Sequence, residues 1–191
     1  MIKIAAFSSS PRDRSNSDTL VDRILDGAQK AGADVKKVLL HDKDISACTA
    51  CDRCQSSLEA ACKFDDDMAD LLVTLKEADV IVFGSPIYFF SINAQMKVFL
   101  DRTYALGGDG NWEALKGKRL AVALTFADDD VESSGVMNAI QMFRGAADFL
   151  QMDMAGVIHA SCADPGEILA NTAVLEEAEK LGARLVAKTG A

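Results

Sequence analysis

No stretch of this sequence approaches the ~20 consecutive apolar residues of a membrane-spanning helix. Its start, Met1-Ile2-Lys3-Ile4, lacks the basic region and apolar core of a secretory signal. With neither feature present, the expected location is the cytoplasm. Positive charge is scarce: 20 Lys and Arg against 29 Asp and Glu leave a net charge of −9. A field of that sign repels phosphate backbones and anionic lipid heads, so nucleic acid and membrane surfaces are excluded as expected partners. Internal repeats, low-complexity tracts and interdomain linkers are also missing. The 191 residues are read as one domain, close to the usual size of about 150. A composition of 49% hydrophobic and 26% charged residues excludes intrinsic disorder and a fibrous repeat.

What is present is an alternation of apolar runs and amphipathic stretches. Ile2 to Phe7 reads as a buried strand, followed by the polar loop Ser8 to Ser17. Leu20, Val21, Ile24, Leu25 and Ala28 recur at helical period, with Ser17 as the expected N-cap and Gly32 as the stop. Val35 to Leu40 is the second strand. A cysteine-bearing segment comes next, and Asp65-Asp66-Asp67-Met68 then opens a helix carrying Leu71, Leu72 and Leu75. Ala78 to Gly84 is apolar on both faces, as a central parallel strand must be. Ser85 to Ile92 reads as a loop, Asn93 to Tyr104 as a helix, Gly107 to Asn111 as a flexible loop and Arg119 to Thr125 as the fourth strand. After the acidic loop Asp128 to Asp130, a helix is expected over about Ser134 to Gln151. A fifth strand follows near Met154 to His159, and a last helix spans about Glu167 to Lys188. Strands alternating with helices on short crossovers pair in parallel with right-handed connections, giving a doubly wound three-layer α/β sandwich.

In such a sheet ligands sit beyond the carboxyl ends of the strands, where the strand order reverses. Two loops leave strands at that edge with unusual compositions. The first offers Ser10, Ser15, Asn16 and Ser17, plus the backbone N–H groups of a helix start, around a site suited to phosphate. Arg12 adds a charge-assisted donor. It contains no glycine and is neither GxGxxG nor GxxxxGK[ST], which weakens dinucleotide-first and nucleoside-triphosphate readings; the plain alternative is a solvated turn. The second loop, Gly84 to Asn93, is rich in aromatics. Tyr88, Phe89 and Phe90 need cover from a flat apolar group such as an isoalloxazine, from a second subunit, or from the core itself.

Ser10-Pro11-Arg12 with Ser15-Asn16-Ser17, Gly84-Ser85-Pro86-Ile87-Tyr88, and Lys97 with Phe99-Leu100-Asp101-Arg102 together resemble the flavodoxin-like NAD(P)H-dependent FMN reductases. Among these, the iron-sulfur flavoproteins are the most similar. The resemblance implies a flavodoxin-like sandwich with a five-stranded parallel sheet of order 2-1-3-4-5 and a cysteine-rich insertion at about 46–64. It places the FMN phosphate on Ser10, Arg12, Ser15, Asn16 and Ser17, and the flavin ring against Pro86, Ile87, Tyr88 and Phe89. Thr125, Phe126 and Ala127 pass the other side of the cofactor. Lys97, Asp101 and Arg102 are read as structural. A flavin carries its own redox chemistry, so no catalytic side chain is required. None is nominated, and His41 and His159 receive no role.

Cys48, Cys51, Cys54 and Cys62 form a CxxCxxCx7C pattern inside fifteen residues. A reducing compartment and the close spacing disfavour disulfides, leaving metal binding or thiol redox chemistry. Four soft thiolates suit a [4Fe-4S] cluster or tetrahedral zinc. The tight triplet favours iron-sulfur, although the fourth cysteine departs from the ferredoxin run. Resemblance to iron-sulfur flavoproteins makes these four the candidate ligands, on the same sheet edge as the FMN. Cys162 reads as a small loop residue. The expected function is an FMN-dependent oxidoreductase passing electrons from NAD(P)H or a reduced iron-sulfur protein to a small acceptor. The partner is then a small-molecule electron acceptor or a redox protein such as ferredoxin, and the assembly a homodimer or homotetramer. A non-catalytic electron carrier or redox sensor, and a quinone or azo-compound reductase with incidental cysteines, are the alternatives.

Overall fold

Apolar runs too short for helices but buried on both faces build the centre of the sheet, Lys3–Ser8, Val80–Tyr88 and Arg119–Phe126, while its edge strands are partly exposed. The computed structural model describes residues 1–57 and 59–187. In chain order the elements are β1 (Lys3–Ser8), α1 (Asn16–Lys30), β2 (Asp34–Leu39), α2 (Met68–Glu77), β3 (Val80–Tyr88), β4 (Ser91–Ile92), α3 (Ala94–Arg102), β5 (Arg119–Phe126), α4 (Val136–Phe149), β6 (Asp153–Ser161) and α5 (Thr172–Val186). Five parallel strands run β2-β1-β3-β5-β6. Counted without the short β4, this is the expected flavodoxin-like order 2-1-3-4-5.

Residue alternation sorts the core into two layers. On β1 and β3, Ala5, Phe7, Ile81 and Phe83 join Met96, Phe99 and Phe143 under α2, α3 and α4. Their neighbours Ile4, Ala6, Val80 and Val82 pack with Leu20, Ile24 and Leu181 under α1 and α5. Phe7 stacks on Phe99 at 4.8 Å between ring centroids, and Phe83 on Phe143 at 5.7 Å. These contacts seat α3 and α4 on one face of the sheet. Among the described residues, no helix is long and apolar enough to cross a membrane.

Three local expectations are corrected. The N-cap of α1 is Ser15, whose hydroxyl accepts the Asp18 N–H at 3.2 Å, while Ser17 is buried inside the first turn. An extended backbone at Ser15 (φ −61°, ψ 130°) sets the helix start there. Ser85 to Ile92 is a hairpin rather than a loop: β3 runs on to Tyr88, and β4 returns antiparallel with Ile87 opposite Ile92 and Tyr88 opposite Ser91. A two-residue strand is too short to show as periodicity. The stretch from Glu167 opens as a 3-10 turn to Ala170, and α5 begins only at Thr172, capped by the Asn171 side chain. The expected end of that helix at Lys188 lies outside the described residues.

Candidate functional site

The strand order reverses at β1, and the loops leaving β1, β3 and β5 converge there. Ser10, Arg12, Ser15 and Asn16 from the first loop meet Pro86, Ile87 and Tyr88 from the end of β3. Thr125, Phe126 and Ala127 arrive from the end of β5, around a cleft of about 120 Å³. Two nominated residues stand outside it. Ser17 is buried in α1, 3.2 Å from the Ser15 hydroxyl, and Phe89 is 97% exposed at the hairpin tip. Cys162, Ala163 and Pro165 complete the lining from the loop after β6.

A buried polar network holds the first loop against the end of β3. The Ser9 hydroxyl lies 2.7 Å from Asn93 Oδ1 and 3.0 Å from the Gly84 carbonyl, and Asn93 Nδ2 donates to the Ser9 carbonyl at 2.7 Å. Asn93 N–H donates to the Ser85 hydroxyl at 3.2 Å, and Asn93 Oδ1 caps α3 by accepting Met96 N–H. All three side chains belong to residues no more than 1% exposed, so each bond is made out of reach of water. Gly84 lets β3 approach α1: a Cβ there would lie 2.4 Å from Val21. Nothing in the linear pattern marks Ser9, Ser85 and Asn93 as the residues that hold the two loops together. An Asn three residues before Met96 signals only a helix cap, and Ser8, Ser9 and Ser10 are indistinguishable until the fold turns them apart.

Asn16 is occupied by the protein itself. Its Nδ2 donates to the Asp164 carbonyl at 2.9 Å and its Oδ1 accepts Ile168 N–H at 3.2 Å, which pins the loop after β6 over the start of α1. Arg12 Nη1 donates to the Ala163 carbonyl at 3.1 Å, and its guanidinium lies 5.8 Å from the Tyr88 ring centroid. The first-turn N–H groups of α1 lack intrahelical partners by geometry. With the Ser10 and Ser15 hydroxyls and the Arg12 cation they form a donor set for a phosphate. Ser8 Oγ, buried at the carboxyl end of β1, has no hydrogen-bond partner among the described residues. Ile87, Tyr88 and Phe126 give the same cleft apolar walls. This combination suits FMN, with an anionic end and a flat ring. Cys162 brings no nucleophile: burial first, and the Glu167 charge second, push its thiol up to about 11, so it stays protonated.

The other four cysteines stand elsewhere. Cys48 and Cys51 are exposed, and Cys54 and Cys62 half-buried; none of them lines the cleft just described. Their segment leaves β2 and packs against the chain beyond the carboxyl end of α3, where Gln55 Nε2 donates to the Tyr104 carbonyl at 2.7 Å. Cys48 and Asp52 border a second cleft of about 580 Å³ with Tyr104, Trp112 and Phe149. The Trp112 ring lies 5.4 Å from Tyr104 and 5.1 Å from Phe149, seated over Gly107. The Gly107 loop, expected to be flexible, is therefore packed by its neighbouring tryptophan. Donation from the Arg53 backbone is the largest of the effects that lower the Cys51 thiol below its usual value. Four soft thiols are the right donor chemistry for an iron-sulfur cluster. Among the described residues, however, no three His, Cys, Asp or Glu side chains gather closely enough to share a metal. No step is derived through such a group.

Comparison with known proteins gives a consistent picture. Residues 2–161 match the family model of NADPH-dependent FMN reductases. An iron-sulfur flavoprotein of Archaeoglobus fulgidus is 30% identical over 186 residues, 96% of this chain and 79% of that protein. One of Methanocaldococcus jannaschii is 35% identical over 105 residues, 55% of this chain and only 53% of its own length. A solved NAD(P)H:quinone oxidoreductase from Methanothermobacter marburgensis superposes with a TM-score of 0.73 at 16% identity, covering 99% of both chains. That likeness speaks for the fold.

Proposed function

The chain belongs to the NADPH-dependent FMN reductase family, a family of oxidoreductases, and from that premise we propose that it is an FMN-dependent oxidoreductase. In this reading it takes electrons from NAD(P)H or from a reduced iron-sulfur protein and hands them to a small-molecule acceptor. The observation that carries it is the convergence of ten nominated residues at the switch point between β1 and β3, where hydroxyl, N–H and guanidinium donors meet apolar walls. Bound there, FMN would supply hydride and single-electron chemistry that no side chain provides.

The chain's own residues then have separable tasks. Ser10, Ser15 and the start of α1 bind the phosphate. Arg12, braced on the Ala163 carbonyl, adds charge. The Ser9, Ser85 and Asn93 network orients the two loops relative to each other. Pro86, Ile87 and Tyr88 on one side, and Thr125, Phe126 and Ala127 on the other, exclude water from the ring. Phe89 and Phe90, exposed at the hairpin tip that follows Tyr88, favour a homodimer or homotetramer in which a partner subunit covers them. The donor set Cys48, Cys51, Cys54 and Cys62 is proposed to hold a [4Fe-4S] cluster, on its chemistry and on the naming of the relatives.

Anaerobic purification followed by assay of FMN, iron and acid-labile sulfide per chain tests both parts. Absence of FMN under every condition would end the flavin reading, and full FMN without iron or sulfide would end the cluster. Stopped-flow mixing with NADH and NADPH separates an enzyme from a carrier: rapid flavin bleaching is expected, and bleaching by ferredoxin-type donors alone would identify a carrier.

A further inference from the structure

Beside α3 and α4 lie two apolar spaces that share no lining residue with the cleft at the ends of β1, β3 and β5. The outer one, of about 580 Å³, is walled by three rings, with Trp112 5.4 Å from Tyr104 and 5.1 Å from Phe149. Tyr104 and Phe149 are both exposed, so part of this aromatic surface is open to a ligand. The inner space, of about 210 Å³, lies in the core against Leu75, Phe83, Leu120 and Phe143. Leu100, Ala146 and Leu150 border both. The two spaces therefore adjoin.

Close-packed interiors leave few voids larger than a water molecule. An apolar cavity of about 150 Å³ is enough for a benzene ring, so the inner space has room for a short apolar chain. A second copy of this chain could cover the outer rings, but a protein surface does not reach into the core as a slim molecule does. Apolar and aromatic walls with a few charged groups are the usual make-up of small-molecule sites. Those charged groups fix the sign of the ligand. Asp52 and Asp101 border the outer space, and among the described residues no Lys or Arg does. Asp101 is answered by Lys97 at 2.6 Å, on the side of the inner space. Asp52 is exposed and stands with rings whose π faces are themselves negative. An anion is repelled by both, whereas a cation over the ring faces is attracted by both.

We propose that this pair of spaces binds an organic monocation, its ammonium head among Trp112, Tyr104 and Asp52 and its apolar body passing Leu100 into the core. Trp112 is the only tryptophan of the chain, so its emission reads the site directly. Full-length, FMN-loaded protein is titrated at about 150 mM salt with three probes. Hexyltrimethylammonium has both head and chain, hexanesulfonate the same chain with opposite charge, and tetramethylammonium the head alone. The expected result is one saturable site for the hexyl cation, at least about tenfold tighter than for either comparison compound. Asp52→Asn, at a left-handed backbone position (φ 55°) that Asn tolerates, should weaken the hexyl cation about fivefold and leave the sulfonate no weaker. Ala147→Met lengthens a side chain that lines only the inner space, and should bring the hexyl cation down to the level of tetramethylammonium. Thermal melting controls for folding; where A147M melts early, the ratio of hexyl to methyl compound in wild type decides the role of the inner space. Equal affinity for cation and sulfonate, a cation affinity indifferent to D52N, or a hexyl cation no tighter than tetramethylammonium overturns the proposal. Displacement of FMN by the cation would place it in the flavin cleft and overturn the proposal as well. Absence of saturable binding does the same, and dissociation of the oligomer by Phe149→Ser would then identify the rings as an interface between copies.

Discussion

Phe89 and Phe90 form the two-residue turn between β3 and β4, and both adopt positive φ, 47° and 67°. Hairpins with two left-handed central residues normally place Asn-Gly there, because a bulky Cβ meets the following carbonyl. Replacing the pair by Phe89→Asn and Phe90→Gly should therefore stabilise the protein. Relief of two left-handed bulky residues is worth about 2–3 kcal/mol. Phe89 is 97% exposed and forfeits almost no packing, whereas Phe90, 57% exposed, gives up about 1 kcal/mol of apolar cover. The new glycine adds unfolded-state freedom costing about 0.5–1 kcal/mol. The balance is a gain of about 1 kcal/mol, or roughly 2–4 °C in Tm for a chain of this size.

The turn keeps its strained shape because it is held from outside. Asn138 Nδ2 donates to the Phe90 carbonyl at 3.1 Å, and a Cβ on Gly135 would lie 2.3 Å from the Phe90 backbone. Gly135→Ala, at φ +84°, should accordingly lower Tm while the hairpin variant raises it. Thermal melts of the FMN-free protein, monitored by circular dichroism, provide the measurement. On the proposed reading, in which a partner subunit covers the two rings, the FMN-loaded Asn-Gly variant should show a higher KM for its acceptor or a looser oligomer by sedimentation. A lower Tm for the Asn-Gly variant would refute the strain argument. A higher Tm with unchanged kinetics and assembly would refute a use for the rings.

Asn93→Ala should destabilise the protein by about 2–3 kcal/mol, since it strands the Ser9 carbonyl and Met96 N–H in a buried site. Urea titration would show this, together with weaker FMN binding by fluorescence; wild-type FMN affinity would contradict the role given to the network. For Asp66, hydrogen bonding from Arg102 is the largest effect and burial opposes it, leaving the carboxyl below its usual 3.8 in the folded protein. A depressed folded pKa adds stability that is fully present above 3.8 and is lost as pH falls from there through the folded value. Asp66→Asn should flatten that acid limb in a plot of Tm against pH, and an unaltered limb would mean other carboxylates dominate it. Cys162, with its thiol pushed up to about 11, should escape iodoacetamide at pH 8 while the exposed Cys48 and Cys51 react; rapid labelling of Cys162 in folded protein would show that its burial is not maintained.

Periodicity along the chain already determined the alternating elements and the parallel sheet. Val80 to Phe83 are apolar at every position, and a strand buried on both faces needs that; Leu20, Val21, Ile24, Leu25 and Ala28 mark one helix face. Loops with unusual composition at the ends of β1 and β3 pointed to the cleft, because topology sends such loops to one edge whatever their detail. What the linear pattern could not carry were pairings set by separation. Asn93 meets Ser9 across 84 residues, Asn16 meets Ile168 across 152 and Arg102 meets Asp66 across 36. Each is one polar side chain whose partner is chosen by how helices dock on the sheet, and no local spacing encodes that. The cysteines illustrate the same division. Their spacing specifies four thiols of the right chemistry, while the fold decides where those thiols stand: none lines the cleft at the ends of β1, β3 and β5, and Cys48 borders the cleft of Tyr104 and Trp112.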